Sequence, residues 1–160
     1  FDGIGESFSN DGGYTWTPGR KSHIDGPCSR FHIRRLKSGR LLMINHYQFD
    51  QRIDLDDIMR QGNVKSWKGR SHLTALLSED DGKTWPYTLL LDERNEVSYP
   101  DAKEAADGYI YVTYDWERVT QREILMARFT EEDILKGQLS SPNGKLRILV
   151  NKATGQPDIH

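Results

Sequence analysis

The side chains in this sequence best suited to chemistry on an acidic ligand are Arg30, Arg70, Tyr99 and Arg122. A guanidinium holds a carboxylate through two parallel, charge-assisted hydrogen bonds. Several such cations beside a phenol therefore suit a ligand that carries a carboxylate. A phenol, with its ordinary pKa of about 10, becomes a nucleophile only beside a base. Asp101, two residues after Tyr99, would either repel a ligand carboxylate or bond a ligand hydroxyl. Glu104 and Asp115 are further candidate carboxylates for the same mouth. His32, His46 and His72 show no metal-ligand spacing and read as packing or surface residues. A single Arg at the start of a strand is commonly just a solvated surface residue. The case for these four rests on their being brought together, which is a question about the elements that carry them.

Those elements repeat. Ser9-Asn10-Asp11-Gly12-Gly13-Tyr14-Thr15-Trp16 returns 69 residues later as Ser78-Glu79-Asp80-Asp81-Gly82-Lys83-Thr84-Trp85, in the pattern S-x-D-x-G-x-T-W. Gly39 and Gly108, each in a turn before an apolar strand, keep the same offset. Arg70 to Leu77 resembles Arg122 to Phe129 once a polar insert over 48–69 is set aside, which leaves a repeat of about 45 residues. Ser140 to Lys145 reads as a decayed third copy of the motif. Short runs rich in β-branched, aromatic and Leu residues predict strands at 4–9, 14–17, 29–36, 40–47, 71–78, 84–91, 98–105, 109–114, 122–129 and 145–150. Thr130, three acids and a closing Gly137 predict a short helix over 130–137. Four strands per repeat is the blade of a β-propeller.

In the repeated motif the Asp is expected to bond local backbone amides and the Gly to supply positive φ, a structural role. An up-and-down meander reverses direction at each turn. If the turns at Asp11, Asp80, Ser38-Gly39 and Asp107-Gly108 share one end, then Arg30, Arg70, Tyr99, Arg122 and the insert gather at the other. Loops, rather than scaffold turns, carry sites.

Composition narrows the classes. The chain has 160 residues, 36% apolar and 29% charged, enough for the core of one domain spanning 1–160. Its formal charge of -2 includes no basic or acidic block, so nucleic acid is not an expected partner. No stretch is apolar enough for a helical membrane span. Cys28, the single cysteine, reads as structural, and no motif implies a metal or cofactor. The opening at Phe1 looks like a cut.

In the order of its motifs the chain resembles the sialidase (neuraminidase) superfamily, whose bacterial members carry Asp-box repeats on a six-bladed propeller. That order is Ser9 to Trp16, Gly39-Arg40-Leu41-Leu42, Arg70 running into Ser78 to Trp85, then Tyr99 through Asp107-Gly108-Tyr109-Ile110 to Tyr114-Asp115. The resemblance implies an all-β fold of which this chain is about two and a half four-stranded blades, the carboxyl-terminal part of one propeller domain. It implies that Tyr99 is the nucleophile and Arg70 the third member of an arginine triad holding a sugar carboxylate, with Arg30, Arg122 and Asp101 as further binding residues. Sialic acid carries a carboxylate on its anomeric carbon, so a neutral phenol is a better attacking group than Asp or Glu; sialidases are an exception to the two-carboxylate rule. The family's activating Glu, acid/base Asp and first triad Arg belong to its amino-terminal half. Where the family places the second triad Arg this chain has Ile4, and Pro100-Asp101 follows Tyr99 where small residues are usual.

The expected function is thus removal of terminal sialic acid from glycoconjugates by a retaining mechanism, in a secreted or periplasmic bacterial protein with an acidic glycan as partner. The isolated 160-residue chain is expected to be inactive. Two alternatives stand beside it: a uronate hydrolase or lyase on the same scaffold, and a non-catalytic glycan-binding propeller.

Overall fold

A computed structural model describes residues 3–27, 29–48 and 69–155. Cys28 and nearly all of the expected insert lie outside them. The described chain is all-β with one short helix. β1 (Gly5–Glu6) and β2 (Arg20–Lys21) form a two-stranded ribbon. β3 (His32–Arg35), β4 (Leu41–His46), β5 (Leu73–Ser78) and β6 (Tyr87–Asp92) form a four-stranded antiparallel meander. β7 (Val97–Glu104), β8 (Tyr109–Trp116) and β9 (Glu123–Thr130), then α1 (Glu131–Lys136) and β10 (Lys145–Lys152), form a second one.

The two meanders pack face to face around one core. Leu42, Ile44, Ala75 and Leu77 of the first meet Val112, Tyr114, Ala127 and Phe129 of the second, all buried. Alternation of buried and exposed positions along β8 is what a half-buried strand requires. β5 is buried along its whole length, as a central strand covered on both faces should be.

Contacts between the sheets fix their relative direction. His32 of β3 pairs with Asp101 of β7, Arg34 Nη1 donates to the Ala102 carbonyl at 2.9 Å, and Lys37 Nζ donates to the Ala105 carbonyl at 2.6 Å. β3 and β7 therefore lie side by side and run the same way. It follows that the 36–40, 78–85 and 105–108 turns and α1 share one end of the molecule, and that the starts of β5, β7 and β9 share the other.

The Asp boxes account for the first end. Asp80 accepts from Ser78 Oγ at 2.8 Å, the Thr84 amide at 2.8 Å and Thr84 Oγ1 at 2.7 Å. Asp11 repeats this with Ser9, the Thr15 amide and Thr15 Oγ1. These hydrogen bonds, from Thr84 above all, hold the Asp80 carboxyl down to about 2. Gly82 has φ 84°, a left-handed backbone that side-chain-bearing residues rarely adopt. The box also corrects two expectations: 14–17 is not a strand and β6 begins at Tyr87 rather than 84, because the amides of Thr15 and Thr84 bond Asp carboxylates instead of a neighbouring strand. The first strand narrows to Gly5–Glu6, whose partner is the unexpected β2.

α1 is capped as expected. The Thr130 side chain accepts from the Asp133 amide, Asp133 reaches back to the Thr130 amide at 2.8 Å, and Gly137 closes the helix in the left-handed region.

Candidate functional site

The end opposite the boxes is built differently. Of the eight non-glycine residues with positive φ among the described residues, Gln48, His72, Glu96, Tyr99, Glu117 and Arg122 stand at this end. Left-handed backbone is unfavourable for side-chain-bearing residues and collects at functional sites.

Tyr99 has φ 55° where the β7–β8 register shifts between Ser98 and Asp101. A bulge of this kind re-aims a side chain, and the Tyr99 ring stands 41% exposed. Two guanidiniums flank it: the Arg118 Cζ is 4.1 Å from the ring centroid and the Arg70 Cζ 5.5 Å. Both lie within cation–π range.

Arg70 precedes β5 and is buried, with 5% of its surface exposed. Its carbonyl accepts from the Val97 amide at 3.2 Å, which ties the approach to β5 to the start of β7. Behind it, His46 Nδ1 lies 2.9 Å from the Ser71 carbonyl and Nε2 3.3 Å from Ser29 Oγ. Burial, aided by the Arg70 charge, pushes His46 down to about 4. The ring is therefore neutral, with Nδ1–H donating to Ser71 and Nε2 accepting from Ser29.

Arg118 follows β8 and is gripped by Asp115, whose Oδ2 accepts from Nε at 2.8 Å and Nη2 at 2.5 Å. Asp115 Oδ1 takes the Ser98 hydroxyl at 2.6 Å. Burial works against the Arg118 charge, but the bonds to Asp115 prevail and raise its pKa, with Tyr99 adding to the hold.

Asp101 is exposed on β7, and its Oδ1 lies 2.9 Å from His32 Nδ1. Burial lowers the His32 pKa against the pull of Asp101, with Arg34 and Arg30 acting in the same direction as burial. With its pKa lowered, the imidazole is neutral at pH 7, and this contact is a hydrogen bond rather than an ion pair.

Of the residues singled out from sequence, Arg70 and Tyr99 are in contact; Asp101 bonds His32 instead, and the exposed Arg30 acts on His32 by its charge. Arg122 shares the end but not the cluster: its Nη1 donates to the Gly155 carbonyl and its own carbonyl accepts from the Ala153 amide, which ties it to the outermost strand. Glu104 is corrected. It sits at the box end of β7, where its Oε2 accepts from the Lys37 amide at 2.8 Å. Arg118 escaped the sequence reading, since an Asp and an Arg three residues apart look like a surface pair.

A cavity of about 290 Å³, which Tyr99 does not line, lies on the outer face of the first sheet among Ile24, Met43, Asn45, His46, Gln48 and Trp85. Among the described residues no cluster of His, Cys, Asp and Glu is placed to hold a metal, and no helix is long and apolar enough to cross a membrane.

Antiparallel meanders with S-x-D-x-G-x-T-W turns define an all-β Asp-box protein. The BNR repeat-like domain matches residues 2–112, spanning both boxes, the whole first sheet and the start of the second, and the chain belongs to that family, which is typical of sialidase-like proteins. No curated protein and no solved structure is matched by the chain.

Proposed function

We propose that this chain is part of a six-bladed sialidase-type propeller that removes terminal sialic acid from glycoconjugates with retention, Tyr99 attacking the anomeric carbon and Arg70 gripping the sugar carboxylate. The observation that carries this reading is an exposed phenol on a strained bulge, in contact with a buried guanidinium at the end opposite the Asp boxes. A buried guanidinium is weakly solvated and its long side chain is already ordered, so gripping a carboxylate costs it little further order. In the chemical step a bond forms from Tyr99 Oη to the anomeric carbon as the glycosidic bond breaks. The phenol proton passes to a base and the leaving oxygen takes one from an acid. Among the described residues no carboxylate hydrogen-bonds the Tyr99 hydroxyl, so this reading draws the base and the acid from the Glu and Asp that the family carries in its amino-terminal half. On the same reading the partner is an acidic glycan and the protein works in a secreted or periplasmic setting.

The test is Tyr99→Phe in the full-length protein with a fluorogenic aryl sialoside. The expected result is a loss of kcat on the order of a hundredfold or more with KM within about threefold, because the missing oxygen acts only in the chemical step. Unchanged kcat would remove Tyr99 from the mechanism. Turnover of a uronide in place of the sialoside would keep the carboxylate grip and change the sugar. Binding with no turnover of either would make the protein a glycan-binding module.

A further inference from the structure

Arg118 approaches the exposed phenol more closely than Arg70 does, and its setting differs. Asp115 satisfies two of its N–H groups and offsets its charge, which makes Arg118 a poor grip for a ligand anion. An exposed pair of this spacing usually contributes little. Here the Arg118 side chain is half exposed, but its partner is anchored. The Asp115 side chain is only 13% exposed, and it also accepts from Ser98, its cross-strand partner in β8–β7 pairing and the residue just before Tyr99. The contacts close a ring: Ser98 to Asp115, Asp115 to Arg118, Arg118 to the face of Tyr99, and Tyr99 back to Ser98 along the chain. A planar guanidinium held along one edge presents a fixed flat face, which a Lys ammonium cannot do.

We propose that Arg118, oriented by Asp115, is the positioning residue for Tyr99: it holds the phenol ring at the angle from which its hydroxyl reacts. This rests on the reading that Tyr99 is the nucleophile. Tyr99 sits in an irregular, strained stretch of strand and is partly exposed, so the surrounding core covers only part of it. Small errors in the placement of a reacting atom cost large factors in rate.

The test uses the full-length protein, a fluorogenic aryl sialoside, and the variants Arg118→Gln, Arg118→Lys, Asp115→Asn and the double variant Arg118→Gln/Asp115→Asn. Arg118→Gln is expected to lower kcat by about tenfold or more with KM within about twofold. Arg118→Lys restores little of that loss, and the double variant is no slower than Arg118→Gln alone, because Asp115 acts through Arg118. A second readout needs no turnover. With 3-fluorotyrosine incorporated, the Tyr99 fluorine resonance, assigned by its loss in Tyr99→Phe, should move in Arg118→Gln toward that of Tyr14, which is 91% exposed. Wild-type kcat and KM in Arg118→Gln would overturn the inference while leaving the sialidase reading intact. A raised KM with unchanged kcat would also overturn it, by making Arg118 a substrate grip. If the wild type turns over no sialoside, the sialidase reading falls and the resonance decides the positioning role: a Tyr99 signal unmoved by Arg118→Gln overturns it.

Discussion

His46 makes the stability of this protein acid-sensitive at a pH where carboxylates are still ionised. Its ring is buried and neutral in the folded state, with a pKa of about 4, whereas an exposed histidine titrates at about 6.5. Below about 6.5 the unfolded chain takes up a proton that the folded chain refuses. Stability is therefore fully present above that value, falls as the pH drops toward 4, and levels off below. Each pH unit inside the window is worth up to about 1.4 kcal/mol, and the two pKa values together give a loss of about 2.5 kcal/mol between pH 7 and 4.5 from this one group. The perturbation is His46→Gln, whose amide can still donate to the Ser71 carbonyl and accept from Ser29 but does not titrate. Urea unfolding of both proteins at pH 7, 5.5 and 4.5 reads the effect. The wild type should lose about 2.5 kcal/mol more than the variant across that range, whatever the variant's stability at pH 7. His32, whose pKa is also lowered, contributes equally to both and cancels. Parallel loss in the two proteins would refute the assignment of a neutral, buried ring behind Arg70.

Two further outcomes follow from other parts of the fold. Asp92 is fully buried and accepts from Arg94 Nε at 2.9 Å, Arg94 Nη2 at 2.6 Å and the Tyr114 hydroxyl at 3.0 Å. Asp92→Ala strands a guanidinium and a phenol at the junction of the two sheets, and should cost about 3 to 5 kcal/mol in denaturant unfolding, with Tyr114→Phe costing about 1.5 kcal/mol; losses under about 1 kcal/mol for Asp92→Ala would mean the junction is solvated. In Asp80→Ala the Thr84 amide, deprived of its acceptor, should exchange with solvent at least about tenfold faster while the Val112 amide in the second sheet is unchanged, as a local opening requires; equal acceleration at both would show the box to be a global rather than a local fastening.

Much of this architecture was legible from the chain itself. The apolar runs of β4, β5, β8 and β9, the cap residues of α1 and the paired boxes each carry a local physical signature, and together they place Tyr99 and Arg70 at the end away from the boxes. What was not legible depended on partners distant in sequence. β2 is two charged residues, Arg20 and Lys21, with no apolar pattern to announce it. Glu104 looked like a neighbour of Tyr99, but five residues of extended strand carry it about 17 Å toward the opposite end. The decayed box at Ser140 to Lys145 lacks its own Asp. The buried Asp133 of α1 supplies the carboxylate, accepting from the Ser140 amide at 2.7 Å and the Ser141 amide at 2.8 Å, a substitution that no spacing within the box could reveal.

The two ends of the molecule obey opposite rules, and that contrast supports a functional reading independently of any family. At the box end the aspartates bond nearby hydroxyls and amides, and glycine takes most of the positive-φ turn positions, Asp81 being an exception, so local sequence and local backbone largely agree. At the other end Gln48, His72, Glu96, Tyr99, Glu117 and Arg122 occupy left-handed backbone that glycine would adopt without strain, at about 1 kcal/mol or more each. A chain selected only to fold would place glycine at several of these positions. Side chains stand there instead, and one of the six is Tyr99, the exposed phenol in contact with Arg70 and Arg118. Where a fold tolerates strain in order to keep a particular side chain, the side chain is what the position is for.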